Sequence, residues 1–167
     1  MRESKQMIAQ HTLSSPSWPF LLSVTSDDDG IISLDLPEQD SIPDHATLTA
    51  FLPELSAALL RLTRSPSRYG TPFQEAVWEA IAQIPFGETR TYQELSRSMG
   101  IPHAVRAVAN ACGANRLALH IPCHRVVRTG GALGGYRWGV TWKSALLSAE
   151  AALLPLHLTE SRVISIA

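Results

Sequence analysis

Cysteine is nearly absent: the 167 residues hold two, Cys112 and Cys123. That excludes a disulfide-stapled framework. No CxxC pair or Cys/His cluster has zinc-site spacing, so no metal is expected. A thiol in a reducing compartment stays free, and if either cysteine does chemistry it acts as a thiolate. Long apolar runs are missing too. None approaches the ~18 residues of a membrane span, and the opening MRESKQMIAQHTLSSPS lacks the apolar centre of a signal peptide. The expectation is a soluble, intracellular chain with no membrane partner. Repeats and low-complexity tracts are also absent. At 45% apolar and 17% charged residues, the chain can bury a core the size of one domain or two small lobes.

Net charge is only −1, but it is unevenly spread. Residues 1–70 carry five basic and nine acidic side chains, whereas residues 90–143 carry eight basic ones and a single acid, Glu94. The second region therefore reads either as a polyanion-facing surface or as an ordinary solvated one.

Along the chain, residues 1–17 read as a loose arm. WPFLLSV (18–24) and IISLDL (31–36) are short β-prone runs around the turn-forming TSDDDG, which predicts a hairpin. Leu48, Leu52, Leu55, Leu59 and Leu62 predict a helix over 46–64, with Pro53 as its weak point. SPSRYGTP (65–72) reads as a linker. Phe73, Ala76, Val77, Ala80, Ile81 and Ile84 then form an amphipathic pattern stopped by Pro85, Phe86 and Gly87. Thr91 to Glu94 is a capping box opening a second helix that ends at Gly100. Pro102 can open a third, with Val105, Val108, Ala109 and Cys112 inward. Two short helices joined by MGIP predict a helix-turn-helix.

The outer face of that third helix, Ala107, Asn110, Ala111 and Ala114, is nearly all small, with Arg106 at its edge. Small residues permit close approach to a rigid partner, either a nucleic-acid backbone or the other lobe. LALHI (117–121) alternates like a strand, Pro122 ends pairing, and a turn over 122–124 would let the adjacent Cys123 and His124 reach one pocket. RTGGALGG (128–135) is a glycine-rich loop, and a last helix runs from about Thr141 to Leu154. Leu147, Glu150 and Leu154 share a stripe on it, with Lys143 one turn earlier. Glu150 on an apolar face needs a partner, and His124 is the natural one. It would orient the imidazole that takes the Cys123 proton, with Arg125, Arg128 and Lys143 as nearby cations. The alternative is a buried cysteine beside a core histidine. Cys112 reads as an inert small hydrophobe.

Six segments, GTPFQEAVW (70–78), IPFGETRTY (84–92), VRAVANA (105–111), IPCHRVV (121–127), GALGGYRWG (131–139) and Lys143 to Glu150, resemble in order and spacing the O6-alkylguanine-DNA alkyltransferase family. The wording is nearest the methyltransferase half of the bacterial adaptive-response protein. The resemblance covers about 70–150 and is weak over 1–69. It implies an α+β fold: a small N-terminal α/β lobe (18–69) with a hairpin or short sheet, then a mostly helical lobe (70–154) carrying the helix-turn-helix and the cysteine. Residues 155–167 have no reading.

The implied activity is single-turnover repair. A methyl or other alkyl group moves from O6 of guanine, or O4 of thymine, in duplex DNA to Cys123, without a cofactor and as a monomer. The resemblance implies that His124, through a water, and Glu150 make the thiolate, that Tyr136 donates to the leaving guanine and that Lys143 supports the charge shift. The Cys123 and Val126 backbone would read the flipped base under Gly134, Gly135, Arg137 and Trp138. Asn115 would brace the hinge after the recognition helix, Tyr92 would press the neighbouring phosphate, and Arg106 would fill the vacated stack. Ala107, Asn110, Ala111 and Arg128 would face the DNA, through the minor groove.

Three features depart from the family. Arg116 stands where a proline usually follows the hinge asparagine. The aromatic-rich run before GTPFQ is missing. Two cysteines cannot supply the zinc-binding half of the adaptive-response protein, so a free-standing repair protein is expected. Two rivals remain: a non-catalytic alkylguanine sensor of the same fold, and a cysteine hydrolase built on Cys123, His124 and Glu150.

Overall fold

The computed structural model describes residues 8–16, 18–27, 30–62 and 70–163, with side chains through Leu59 and again from Gly70 to Leu154. The architecture is α+β. Three antiparallel strands, β1 (Ala9–Leu13), β2 (Leu22–Asp27) and β3 (Gly30–Asp35), lie in the order β1-β2-β3. The predicted hairpin is present as β2 and β3. The arm read over 1–17 contains β1 instead, because the unpaired edge of β2 accepts Ala9–Leu13 as a third strand. A short polar strand such as AQHTL has little apolar alternation to announce it.

Helix α1 (His45–Leu62) follows, burying Leu48, Phe51, Leu52, Leu55 and Leu59. Pro53 lies within it on the exposed side. The predicted linker falls largely at 63–69, outside the described residues.

In the second lobe, α2 (Pro72–Ala82) starts at a Thr71–Gln74 capping box with proline in its first turn. Its buried stripe is Val77 and Ile81, continued by Ile84, while Phe73 is exposed, so the apolar face is turned from the expected one. α3 (Tyr92–Ser98) has the predicted Thr91–Glu94 capping box, with both reciprocal hydrogen bonds formed. It ends in a Schellman turn: Ile101 N–H donates to the Ser96 carbonyl, and Gly100, at φ +73°, donates to Arg97. Ser96 is buried and returns a hydroxyl hydrogen bond to the Ile101 carbonyl.

α4 (Val105–Gly113) begins three residues after Pro102, because the Ile101–Ala104 turn occupies that stretch. α3 and α4 form the helix-turn-helix. Residues 118–120 are turn rather than strand. Leu119 sits at φ +66°, and only Leu117 bridges to Leu34. Cys123–Arg125 form one 3₁₀ turn, after which β5 (Val126–Val127) pairs in parallel with β4 (Arg90–Thr91). The last helix, α5 (Val140–Val163), runs past the expected end at 154, so most of the tail continues it. One apolar cluster joins the lobes, from Leu22 and Leu34 through α1 to Val108, Trp142 and Leu146.

Candidate functional site

Pro122 and the 3₁₀ turn resolve the problem of two adjacent reactive side chains. The turn removes strand alternation: both side chains are buried, Cys123 at the cavity and His124 against Glu150 of α5. His124 Nε2 lies 2.7 Å from Glu150 Oε1. Glu150 is 2% exposed and takes three further donors: Arg125 Nε at 2.9 Å, the second Arg125 nitrogen at 3.0 Å, and the Gly87 amide at 3.0 Å. Burial alone would raise its pKa, but the His124 and Arg125 bonds and charges outweigh it and hold the carboxyl at about 2. Glu150 is therefore ionised.

Burial pushes His124 below its usual value, so the ring is neutral near pH 7. With Nε2–H donating to the carboxylate, Nδ1 carries the lone pair. Nδ1 is buried and has no hydrogen-bond partner among the described residues. The arrangement is that of a base whose tautomer is set by a third group.

Cys123 is 4% exposed at the wall of a cavity of about 390 Å³ lined by Tyr92, Asn110, Cys112, Arg128 and Tyr136, among others. Its sulfur accepts from Asn115 Nδ2 at 3.0 Å. Hydrogen bonding from Cys112 lowers its pKa most; Asn115 and the Lys143 charge add to this against the desolvation that raises it. Asn115 also donates to the Ile121 carbonyl at 3.0 Å and accepts from Leu117 N–H at 2.9 Å, so it locks the chain between α4 and the cysteine turn. Lys143 is fully buried; its Nζ donates to the Val126 carbonyl at 2.6 Å and toward Gly135 at 3.3 Å, and burial lowers its pKa. The Val126 carbonyl keeps a second lone pair for a ligand. The Tyr136 hydroxyl is buried, has no hydrogen-bond partner among the described residues, and has its pKa raised well above the usual value by burial. Tyr92, half-buried, is pushed up to about 12 for the same reason, and its hydroxyl lies beside Gly134, which takes φ +70°.

Of the outer-face residues of α4, Arg106, Ala107 and Asn110 are exposed, and Asn110 lines the cavity. Ala111 is not on that face. It is 2% exposed, and its carbonyl accepts from Trp78 Nε1 at 2.8 Å. The helix turns its Val108–Ala111–Cys112 side to the core, and α2 covers it. Gly135, Arg128 and Arg137 are exposed at the cavity, whereas Trp138 is half-buried and donates to Asp35 Oδ1 at 2.9 Å. Cys112, expected to be an inert core residue, is buried but lines the cavity. Arg125 was expected beside the thiol. It is instead the fork on Glu150, with NH1 on the Ile84 carbonyl at 2.8 Å and the guanidinium 5.3 Å over the Phe86 ring. The signal for it was available, since a buried carboxylate needs more than one donor and Arg125 adjoins His124. No group of acidic, cysteine and histidine side chains suited to a metal occurs among the described residues, and no described helix is long and apolar enough to cross a membrane.

Residues 72–152 match the model of the 6-O-methylguanine DNA methyltransferase DNA-binding domain. The chain is 47% identical over 133 residues to the bifunctional transcriptional activator/DNA repair enzyme Ada of Escherichia coli, covering 75% of this chain and 38% of that protein. It is 48% identical over 90 residues to the methylated-DNA–protein-cysteine methyltransferase of Mycobacterium tuberculosis, 54% of each chain. The chain spans about half or less of the length of these curated relatives. Among solved structures it resembles Mycobacterium tuberculosis OGT in complex with DNA, at TM-score 0.65 and 35% identity over 86% of this chain and 92% of that one. With a solved relative matched at 35% identity over nearly its whole length and a family model matched across the second lobe, the chain belongs to the 6-O-methylguanine-DNA methyltransferase family.

Proposed function

We propose that this protein repairs alkylated duplex DNA by moving an alkyl group from O6 of guanine, and from O4 of thymine, to its own Cys123, once per molecule. The observation that carries this reading is a cysteine sulfur held by an amide donor at the wall of a cavity of about 390 Å³, with an ionised carboxylate on the neutral histidine next in the chain. His124 Nδ1 accepts the thiol proton through a water, and Glu150 stabilises the imidazolium. The sulfur attacks the alkyl carbon; the S–C bond forms, the C–O6 bond breaks, and the electron pair returns to the purine. Tyr136 donates to the departing ring, and Lys143 favours the negative charge that develops there. The thioether is stable, so no second cycle follows.

The base must leave the stack to reach a buried sulfur. Arg106, exposed on α4, fills the gap, Tyr92 turns the nucleotide by its phosphate, and Asn110, Ala107, Arg128 and Arg137 lie along the minor groove. Gly134, Gly135 and Trp138 close over the base, which the Cys123 and Val126 backbone reads, and Asn115 keeps the turn in register with α4. The protein works as a monomer without a cofactor. Intact-mass analysis after mixing with an O6-methylguanine duplex tests the reading. One methyl mass, mapped to Cys123, is expected; repeated turnover, or no mass gain, overturns it.

A further inference from the structure

The cavity holds a second thiol that the proposed reaction does not use. Cys112 and Cys123 both line it, although one belongs to α4 and the other to the 3₁₀ turn. Cys112 Sγ lies 3.9 Å from the Cys123 backbone carbonyl, within reach of a thiol donor. The two sulfurs have opposite surroundings. Cys123 Sγ faces a donor, Asn115 Nδ2 at 3.0 Å, with buried Lys143 nearby. Cys112 Sγ faces an acceptor, the carbonyl. A donor beside a sulfur favours the thiolate, and an acceptor favours the protonated thiol.

We propose that Cys112 is a positioning residue for the nucleophile: its S–H, kept protonated by the carbonyl it faces, turns from the Cys123 carbonyl to the Cys123 sulfur as the thiolate forms. Cys112 and Asn115 then hold the thiolate from two sides in a site where bulk water has little access. The pair's opposite titration shifts agree, Cys112 upward through its bond to Cys123 and through burial, and Cys123 downward through its bond to Cys112. No covalent step at Cys112 is involved.

This inference deepens the alkyl-transfer reading and rests on it for its purpose, but thiol titration tests it without DNA. Wild type, Cys112→Ala, Cys112→Ser and Cys123→Ala are labelled with iodoacetamide across pH, Cys123 is followed by peptide mapping, and folding is checked by circular dichroism. Cys112→Ala should raise the apparent pKa of Cys123; a rise of one unit lowers the labelling rate below that pKa about tenfold. Cys112→Ser, which keeps a donor, should restore most of it. Transfer from an O6-methylguanine duplex should fall and recover in parallel. A Cys123 pH profile unchanged in folded Cys112→Ala, or a serine variant no better than alanine, overturns the proposal. Wild type that labels at low pH yet transfers no methyl overturns the repair reading and leaves the thiol pair standing.

Discussion

Glu150 is the residue on which most of the buried polar contacts of this site converge. One buried carboxylate orders His124, Arg125 and the Gly87 amide, and so ties α5 to the segment that follows α2. Removing its charge leaves the Arg125 guanidinium, 12% exposed, without a counterion. Glu150→Gln is therefore expected to cost about 3 kcal/mol in urea unfolding and to slow transfer, since a neutral amide stabilises the imidazolium poorly. The pH dependence follows from the same group. Its carboxyl titrates at about 2 when folded against an ordinary 4.5. The stabilisation is complete above pH 4.5 and is lost as pH falls toward 2. Wild type should lose stability steeply across that window, and Glu150→Gln should lose much less. Equal slopes in acid titrations followed by circular dichroism would sink the assignment.

At the scale of elements, α3 and α4 present Tyr92 and Arg106 on one rigid unit, and local chemistry sets both helix ends. Thr91 is the cap that starts α3 at Tyr92, with its hydroxyl 3.1 Å from the Glu94 amide. It also pairs with Val127 in the β4–β5 ladder. Thr91→Ala should cost about 1 kcal/mol, read in the urea midpoint. Arg106 is exposed, with no hydrogen bond or ion pair among the described residues, so Arg106→Ala should leave Tm unchanged within error. Duplex repair should nevertheless fall about tenfold or more, because unstacking costs a few kcal/mol that a stacked guanidinium partly offsets. Transfer from free O6-benzylguanine needs no flipping and should hold its rate. Equal losses for both substrates would make Arg106 a pocket or folding residue.

For the whole molecule, the N-terminal lobe is part of the site's support although none of its described residues lines the cavity. β3 meets the chain after α4 through Leu34, whose N–H donates to the Arg116 carbonyl at 2.9 Å and whose carbonyl accepts from Ala118 at 3.0 Å. Asp35 accepts from Trp138, and the Pro37 carbonyl from Trp142 at 2.9 Å. The loop over the cavity is thus anchored at its far end to the sheet lobe. Asp35→Ala should lower stability by about 1 kcal/mol and should slow duplex repair more than it slows thiol labelling, because the loop is released while the thiol's neighbours remain. Matching losses in both assays would argue against loop anchoring. The clustering of basic side chains in the second lobe predicts that binding to undamaged duplex weakens steeply with salt, measured by fluorescence anisotropy.

Local sequence determined the parts whose physics is local. The Thr91–Glu94 box, the Gly100 helix stop and the break at Pro122 each act over a few residues, so the helix-turn-helix and the turn at the cysteine were legible before any packing was known. The pairing of Glu150 with His124 was legible for a related reason: a carboxylate on an apolar stripe needs a partner. Tertiary structure alone decided the rest. Strand β1 exists because β2 offers an open edge, and nothing in AQHTL requires it. Ala111 is buried because α2 lies on that side of α4; periodicity sets which residues share a face but not which face meets a neighbour. Cys112 reads as one more small apolar residue on a helix. Only the path of the chain through Asn115 and Pro122 brings it into the cavity with Cys123, since side-chain proximity across elements depends on packing, which no local pattern encodes.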